Sequence, residues 1–245
     1  MIAEWSTPPT RPALTEGEVH VWLAHLPSAH GELGKLRGLL TLDETERAGR
    51  FRNELLRTRW ELTRGILRGL LADYLDLSTR EVVFQLGPRG KPALVCHPQF
   101  FFNTSHTGDY AAFAFTLAGE TGVDIEQLRD DWHRHDAIAH RLFAPGERAE
   151  LAAVPESERM RAFLDLWTRK EAFVKARGDG VFSGLEKFTV SLRHAGLVQI
   201  TEGQPKEWWM CTMPEITGAT GAVVVKAATC RARFWSWNAA HSPPA

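Results

Sequence analysis

Apolar residues recur along the chain at spacings typical of strands and helices, and they predict a fold of mixed elements. Alternating apolar positions over 19–26 predict a first strand. A helix is predicted to begin at the capping box formed by Thr41 and Glu44. A second helical pattern ends near Asp76, and a third covers 163–178 with a glycine stop at its C-terminus.

The remaining apolar runs are short and predict strands. They are bounded by turn residues, as in the Gly-Pro turn before Lys91. The late strands, after residue 187, are predicted to be antiparallel. The predicted strands lie at 82–86, 93–95, 110–117, 122–126, 188–192, 197–200, 207–213, 222–229 and 231–237.

Together these patterns predict the α+β fold class, divided into two halves. The predicted boundary lies between residues 119 and 120. It separates an N-terminal α+β half at 1–119 from a C-terminal α+β half at 120–245. Each half contains a helix, a glycine-containing turn and short strands, so the element order favours an internal duplication, although sequence identity between the halves is negligible. A further helix is predicted at 136–143, after a solvated linker that includes His133 and His135.

Two carboxylates occupy alternate positions of the predicted strand at 122–126. Side chains two residues apart leave a strand on the same face, so Asp124 and Glu126 are expected to point one way. Val123 and Ile125 are expected to point into a core. Two adjacent carboxylates repel each other unless a cation or a proton lies between them, and hard oxygen ligands of this kind suit Mg²⁺. The strand therefore predicts either a metal site or an exposed strand end with two solvated acids.

The composition is that of a globular protein in water, and it narrows the functional classes. The 245 residues carry a net charge of −1, so nothing global attracts the chain to nucleic acid or membrane. No stretch has the roughly 20 apolar residues needed to span a bilayer, and the N-terminus lacks the apolar segment of a signal peptide. The three cysteines are widely separated and lack zinc-binding spacing, which favours free thiols in a reducing compartment. A cytoplasmic protein is expected.

Candidate donors to phosphate are spread over several predicted elements. The helical region before Lys91 is locally basic, and arginine offers planar, bidentate donors to phosphate oxygens. For most of these arginines, a solvated helix face is the better interpretation. Ser105 and His106 are adjacent on a strand and point to opposite faces, so they cannot form a nucleophile–base pair, and a serine hydrolase is discounted. Either residue could instead donate to a phosphate.

The predicted helix at 163–178 adds a third carboxylate and a lysine. Glu171 and Lys175 lie one turn apart on one face, as either an ordinary surface ion pair or part of a site. Phosphoryl transfer requires acids that hold a metal and cations that neutralise charge on the transferring phosphate. The residues therefore favour phosphoryl-transfer chemistry.

Three motifs occur in an order that makes the chain resemble a known family. They are Phe102–Gly108 (FNTSHTG), Gly122–Glu126 (GVDIE) and Trp167–Lys175 (WTRKEAFVK). They are similar to the signature motifs of the 4′-phosphopantetheinyl transferases, in particular the larger, surfactin-synthetase-type monomers. Thr104 departs from the aliphatic residue usual at its position, and this departure is expected to affect packing only.

The resemblance implies a pseudo-dimer of two similar α+β halves, with coenzyme A bound in the cleft between them. It implies a monomer that uses Mg²⁺, with acyl or peptidyl carrier proteins as partners and neither nucleic acid nor membrane. The implied metal ligands are Asp124, Glu126 and Glu171, and the implied catalytic residues are Glu171, Lys175, Asp124 and Glu147. The implied coenzyme A-binding residues are Arg59, Lys91, Ser105, His106, Lys170, Lys175, Arg47 and Arg50.

Some of these positions come with a more specific expectation from the family. Arg59, Ser105 and His106 match positions near the 3′-phosphate of coenzyme A. Lys91 matches a contact near the nucleotide, and Lys175 matches the lysine that contacts the coenzyme A phosphates.

The chemistry that the resemblance implies is transfer of phosphopantetheine. The hydroxyl of a carrier-protein serine attacks the β-phosphate of coenzyme A, and 3′,5′-ADP leaves. Glu171, Glu147 or a metal-bound hydroxide would take the serine proton. Two other functions stay open: a metal-dependent hydrolase of nucleotide phosphoanhydrides, and a non-catalytic module that binds coenzyme A or a carrier. The first would consume coenzyme A without a carrier, and the second would tolerate loss of the acids.

Overall fold

The computed structural model describes residues 4–10, 12–129, 132–178, 185, 188–194, 197–200 and 203–239. Within these ranges the chain forms an α+β fold, as the sequence predicts. The strands are β1 (Glu18–His25), β2 (Phe84–Leu86), β3 (Pro92–Leu94), β4 (Phe101–Thr107), β5 (Tyr110–Thr116), β6 (Thr121–Gln127), β7 (Phe188–Val190), β8 (Leu197–Ile200), β9 (Trp209–Thr212), β10 (Ala219–Val225) and β11 (Arg231–Ser236). The helices are α1 (Leu33–Gly38), α2 (Leu42–Gly49), α3 (Glu54–Leu75), α4 (Trp132–Leu142), α5 (Pro145–Ala152) and α6 (Glu156–Arg177), with short 3-10 helices at His30–Glu32 and Pro205–Glu207.

Local signals in the sequence set several helix ends. The capping box predicted at the start of α2 is present, because the Thr41 amide donates to the Glu44 carboxylate (3.0 Å) and the Glu44 amide donates to the Thr41 hydroxyl (3.4 Å). α3 ends as predicted at Asp76, whose φ of 53° is left-handed. α6 ends as predicted at Gly178, with a φ of 70°.

Two helices begin earlier than predicted. α6 begins at Glu156 rather than at 163, because Pro155 precedes it and acids occupy its first turn, where they interact favourably with the helix dipole. α4 begins at Trp132, so the segment predicted as a solvated linker is helical; no Pro or Gly interrupts it. None of the helices in the described ranges is long and apolar enough to cross a bilayer.

The first sheet joins strands from both ends of the chain, in the order β11-β1-β5-β4. β1, β5 and β4 pair antiparallel, with Val21 opposite Ala114 and Ser105 opposite Ala112. β11 pairs parallel to β1, so the prediction of antiparallel late strands is wrong for 231–237. A parallel pair needs a long connection between its strands, and here most of the chain separates them.

The second sheet has the order β6-β10-β9, and its pairs are antiparallel. It packs against the first sheet through a core that includes Val21 and Ala114 from the first sheet and Val123, Ile125 and Val223 from the second. α3 covers the other face of the first sheet, and α6 covers the other face of the second. The described ranges therefore contain two helix-on-sheet layers that pack sheet to sheet.

β6 approaches α6 closely because Gly122 has no side chain. A Cβ atom at Gly122 would lie 2.0 Å from the Ala172 carbonyl oxygen. The close approach brings the acids of β6 next to the helix that carries Glu171 and Lys175.

The predicted boundary between 119 and 120 falls in the turn that connects β5 to β6. The last strand does not stay with the second sheet, because β11 returns to pair with β1. The first sheet therefore contains strands from both predicted halves.

Candidate active site

Two acids lie side by side on β6, on the face that meets α6. Val123 and Ile125 are 0% and 1% exposed in the core between the sheets, so the predicted alternation along this strand is confirmed. Asp124 is 4% exposed, and Glu126 is half-buried near the end of the strand. The alternative of two solvated acids at an exposed strand end is therefore wrong for Asp124.

α6 supplies a third acid and a lysine. Glu171 is buried, and Lys175 lies one turn further along the helix. The Lys175 Nζ donates to Asp124 Oδ1 (2.6 Å) and to the Val123 carbonyl oxygen (3.3 Å). It also donates to the Ser105 hydroxyl on β4 (2.9 Å). The ammonium group of Lys175 therefore connects α6 to both sheets.

The acid cluster, which consists of Asp124, Glu126 and Glu171, holds more negative charge than Lys175 neutralises. Burial raises the pKa of Glu171 to about 7, and the charges of Asp124 and Glu126 add to the rise, while Lys175 opposes it. Burial also raises the pKa of Glu126, with a further contribution from Asp124. The acid cluster can therefore accept a further cation or a proton.

The donor atoms of the acid cluster fit a hard metal ion. Asp124 Oδ2 and Glu171 Oε1 are buried and have no hydrogen-bond partner among the described residues. Mg²⁺ prefers oxygen ligands of this kind and commonly binds one or two carboxylates together with water and phosphate. In the part of the chain that the structure describes, no three acid, histidine or cysteine side chains are close enough to enclose a metal as they stand. The donor chemistry therefore fits Mg²⁺, whereas a cage of three carboxylates would require these side chains to move closer together.

Two hydroxyls of β4 bind the acids from the side of the first sheet. The Ser105 hydroxyl donates to Asp124 Oδ1 (2.8 Å), and the Thr107 hydroxyl donates to Glu126 Oε2 (3.0 Å). Asn103, on the same face of β4, accepts a hydrogen bond from the β6 backbone (2.9 Å). Sequence reasoning missed Asn103 and Thr107, although alternation along the strand puts them on the same face as Ser105. The structure thus places Ser105 beside the acid cluster.

Arg59 and His106 lie on the other side of β4. His106 shares a face of the strand with Phe102, which packs in the core under α3. Arg59 Nη2 donates to Asp109 Oδ1 (2.5 Å), in the turn after β4. The pKa of His106 is lowered because the surrounding chain desolvates its ring and because Lys175 and Arg59 place positive charge near it. The structure therefore brings Arg59, His106 and Lys175 into one positively charged neighbourhood.

Lys91 connects the turn before β3 to the end of α6. Its Nζ donates to the Glu120 carboxylate (2.5 Å) and to the Ala176 carbonyl oxygen (2.9 Å). Burial lowers the pKa of Lys91, and Glu120 partly offsets this effect. A cavity of about 170 Å³ is lined by Lys91 together with Glu171 and Lys175. Lys91 therefore shares a cavity with Glu171 of the acid cluster and with Lys175.

Lys170 and Glu147 form a buried ion pair in the interior of the C-terminal half. Lys170 is 0% exposed, and its Nζ donates to both oxygens of Glu147 (2.8 and 3.0 Å) and to the Phe188 carbonyl oxygen (2.9 Å). Glu147 also accepts from the amides of Ala144 (2.7 Å) and Val190 (2.8 Å). These partners belong to the start of α5 and to β7. The structure therefore does not bring Lys170 or Glu147 to the acid cluster.

Arg47 and Arg50 are exposed at the end of α2. The Arg47 guanidinium lies 5.6 Å from the centroid of the Trp60 ring, close enough for a cation–π interaction. Together with Phe51 and the acids Asp43 and Glu46, the two arginines line an open depression of about 650 Å³. The structure therefore places Arg47 and Arg50 on a surface of mixed charge, in a different cavity from that of Glu171 and Lys175.

Two family models match the chain, one on each side of the predicted boundary. Residues 27–118 match a model described as 4′-phosphopantetheinyl transferase, N-terminal. Residues 120–223 match a model described as the 4′-phosphopantetheinyl transferase superfamily.

Three relatives are all named 4′-phosphopantetheinyl transferases. HetI from Nostoc sp. is 30% identical over 236 residues, which are 95% of this chain and 98% of HetI. The psf-1 protein of Bacillus pumilus is 31% identical over 169 residues, which are 69% of this chain and 71% of psf-1. AcpT of Salmonella typhimurium is 43% identical over 94 residues, which are 38% of this chain and 47% of AcpT. The match to HetI thus covers nearly all of both proteins.

Proposed function

The chain belongs to the 4′-phosphopantetheinyl transferase superfamily and transfers phosphopantetheine to carrier proteins, and we propose that the transfer takes place at the acid cluster. The observation that supports this placement most is the contact between Lys175 of α6, Asp124 of β6 and Ser105 of β4, since each residue comes from a different family motif. In the reaction, a carrier serine oxygen forms a bond to the β-phosphorus of coenzyme A. The bond from that phosphorus to the oxygen of 3′,5′-ADP breaks.

Asp124, Glu126 and Glu171 would hold Mg²⁺. Their hard oxygen donors support this assignment, as do the two buried oxygens without a hydrogen-bond partner among the described residues. The raised pKa values of Glu126 and Glu171 also support it, because acids that lack sufficient positive charge favour cation binding. When bound, the ion would supply positive charge that stabilises phosphate oxygens in the transition state.

Lys175 would neutralise charge on the pyrophosphate of coenzyme A. Its side chain is 25% exposed while it donates to Asp124, so a ligand can reach the ammonium group. It also lines the cavity beside Lys91. A cation held in this place stabilises the leaving group as negative charge develops on its oxygen.

Glu171 would accept the proton of the serine hydroxyl. It is the carboxylate of α6 that belongs to the acid cluster, and it lines the cavity that also contains Lys91 and Lys175, where a substrate hydroxyl can reach it. Glu147, the other carboxylate considered from the sequence, is 2% exposed and is bound by Lys170 and by two backbone amides. This geometry supports a structural role for Glu147.

Arg59 and His106 would bind the 3′-phosphate of coenzyme A. The Arg59 guanidinium is paired with the Asp109 carboxylate. Because the Asp109 side chain is 40% exposed, a phosphate can take the place of this carboxylate. Lys91, through the cavity that it shares with Lys175, would contact the nucleotide. Arg47 and Arg50 would add positive charge from α2, whereas the buried contacts of Lys170 support a structural role.

The two helix-on-sheet layers would form a pseudo-dimer within one chain, with coenzyme A in the cleft between them. Support comes from the similar arrangement of α3 on the first sheet and α6 on the second. The proposed site draws on β4 and α3 from one layer and on β6 and α6 from the other. One chain thus holds all the proposed site residues, which supports a monomer.

The mass of an intact apo carrier protein tests the proposed function. After incubation with coenzyme A and Mg²⁺, the carrier is expected to gain one phosphopantetheine group, and 3′,5′-ADP is expected in equal amount. A phosphoanhydride hydrolase would instead consume coenzyme A without changing the carrier's mass. A binding module would leave both coenzyme A and the carrier unchanged.

Asp124→Ala tests whether the acid cluster performs the transfer. The transfer rate is expected to fall by a factor on the order of 10³, because a group that stabilises transition-state charge is lost. The thermal midpoint is expected to change little, since the variant loses one of three repelling carboxylates as well as the ion pair with Lys175. Transfer at the wild-type rate in saturating Mg²⁺ would contradict the assignment.

A further inference from the structure

Thr107 holds its hydroxyl in a fixed direction beside the acid cluster. It is 7% exposed and occupies the last position of β4. Its oxygen accepts a hydrogen bond from the backbone amide of Gln127 (3.3 Å), and the hydroxyl donates to Glu126 Oε2 (3.0 Å). A hydroxyl has one proton, and an amide on its oxygen directs that proton toward the remaining partner. The partner here is the Glu126 carboxylate.

Ser105 shows the same arrangement two residues earlier on β4. Its oxygen accepts from the Lys175 Nζ (2.9 Å), and its hydroxyl donates to Asp124 Oδ1 (2.8 Å). Each acid of β6 therefore receives a hydroxyl from β4. Asp124 also binds Lys175, whereas Glu126 receives its side-chain hydrogen bond from Thr107 within the described ranges.

The turn after β4 keeps Thr107 in place against β6. Gly108 has a left-handed φ of 49°, which glycine adopts without strain. The Gln127 side-chain oxygen lies 1.7 Å from the position that a Cβ atom of residue 108 would occupy. The Gln127 side chain thus packs against the tip of the β4–β5 hairpin, and the Gln127 backbone amide binds Thr107, so the end of β6 lies against this hairpin.

We propose that Thr107 is a positioning residue that orients the Glu126 carboxylate for cation binding. A glutamate side chain near the end of a strand has several rotatable bonds, and a hydrogen bond to Oε2 restricts them while leaving Oε1 available to a cation. Partners that orient a metal-binding carboxylate typically change metal affinity by about 10- to 100-fold when they are removed. The inference rests on the proposed role of the acid cluster in holding Mg²⁺.

The test is the affinity of the folded protein for Mn²⁺, used as a spectroscopic substitute for Mg²⁺. Free Mn²⁺ is measured by electron paramagnetic resonance during a titration with coenzyme A held at a saturating concentration. Thr107→Val keeps the branched shape and removes the hydroxyl, and it is expected to raise the Kd for Mn²⁺ by about 10- to 100-fold. Thr107→Ser, which keeps the hydroxyl, is expected to bind close to the wild-type level. Thr104→Val, on the opposite face of β4, is the matched control and should leave the Kd unchanged.

A second comparison shows whether Thr107 acts through Glu126. In a Glu126→Gln background, Thr107→Val is expected to have little further effect on the Kd, because the group that it positions has lost its charge. The affinity for coenzyme A without metal should not change, which separates positioning from a general loss of structure. Thr107→Ala supplies the same test if Thr107→Val does not fold.

Wild-type affinity for Mn²⁺ in Thr107→Val, or an equal loss in the Glu126→Gln background, would overturn the inference about Thr107. The proposed function would fail differently. If wild type and Asp124→Ala bind Mn²⁺ equally, the acid cluster does not hold the metal, and the role of Thr107 is lost with it.

Discussion

Lys170 and Lys175 belong to the same helix and the same motif, yet their surroundings differ completely. Lys170 is 0% exposed and binds both oxygens of Glu147 and a backbone carbonyl. The Lys175 side chain is 25% exposed and binds Asp124, whose other oxygen has no hydrogen-bond partner among the described residues. Lys170 faces the interior of the C-terminal half, and Lys175 faces β4 and β6.

One motif can thus contribute to both the stability of the fold and the chemistry of the site. An ion pair that is sealed from water and fully hydrogen-bonded connects elements of the fold, but no ligand can reach it. A partly exposed pair with an unsatisfied acid can exchange its partners for a cation and a phosphate. We therefore propose that the Lys170–Glu147 pair stabilises the fold and that the Lys175–Asp124 pair takes part in the reaction.

Lys170→Met tests whether the buried Lys170–Glu147 ion pair stabilises the fold. It removes one partner of a buried ion pair, so Glu147 is left as an uncompensated charge in the interior. We expect the free energy of unfolding to fall by about 3–5 kcal/mol. Chemical denaturation followed by circular dichroism measures this change.

The control for Lys170→Met is the double variant Lys170→Met, Glu147→Gln, which removes both charges. Glutamine keeps a side-chain oxygen that can accept from a backbone amide, so the double variant should recover part of the lost stability. If Lys170→Met unfolds at the wild-type denaturant concentration, the buried pair does not stabilise the fold.

Lys175→Met tests whether the charge of Lys175 contributes to phosphopantetheine transfer. The methionine keeps the length and apolar bulk of the side chain and removes its charge. We expect the rate of phosphopantetheine transfer to fall by about 10²- to 10³-fold, because a cation is lost where leaving-group charge develops. The free energy of unfolding should fall by less than in Lys170→Met, because the Lys175 side chain is 25% exposed and water can partly solvate the charge left on Asp124. Near-normal turnover, measured by intact-carrier mass, would show that Lys175 is only an ion-pair partner.

Features that depend on a few neighbouring residues could be predicted from the sequence. The capping box at Thr41 and the glycine stop at Gly178 act over one helical turn, and both are present. Alternation along β6 depends only on strand geometry, so the burial of Val123 and Ile125 also followed from the sequence.

Contacts between distant parts of the chain could not be predicted from periodicity. Helix geometry places Lys170 and Lys175 in different directions, but it does not show that Glu147 lies in one of them. Strand alternation puts Thr107 on the same face as Ser105, but only the packing of β4 on β6 brings it to Glu126. The parallel pairing of β11 with β1 has the same origin, since it depends on which sheet the last strand joins.

His106→Ala is expected to have a smaller effect than the two lysine variants, and it concerns the other face of β4. His106 lies on the face of β4 opposite Ser105, near the positive charges of Arg59 and Lys175. If it donates to the 3′-phosphate, His106→Ala loses a hydrogen bond to a charged group, worth about 1.5–3 kcal/mol. The KM for coenzyme A should then rise by about 10- to 100-fold, because each 1.4 kcal/mol corresponds to a factor of ten. The KM for 3′-dephospho-coenzyme A should stay the same, since that ligand lacks the phosphate.

Thr104→Ala, on the same face of the strand, is the matched control and should change neither value. Equal increases for both ligands would mean that His106 supports the structure around the site and does not recognise the 3′-phosphate.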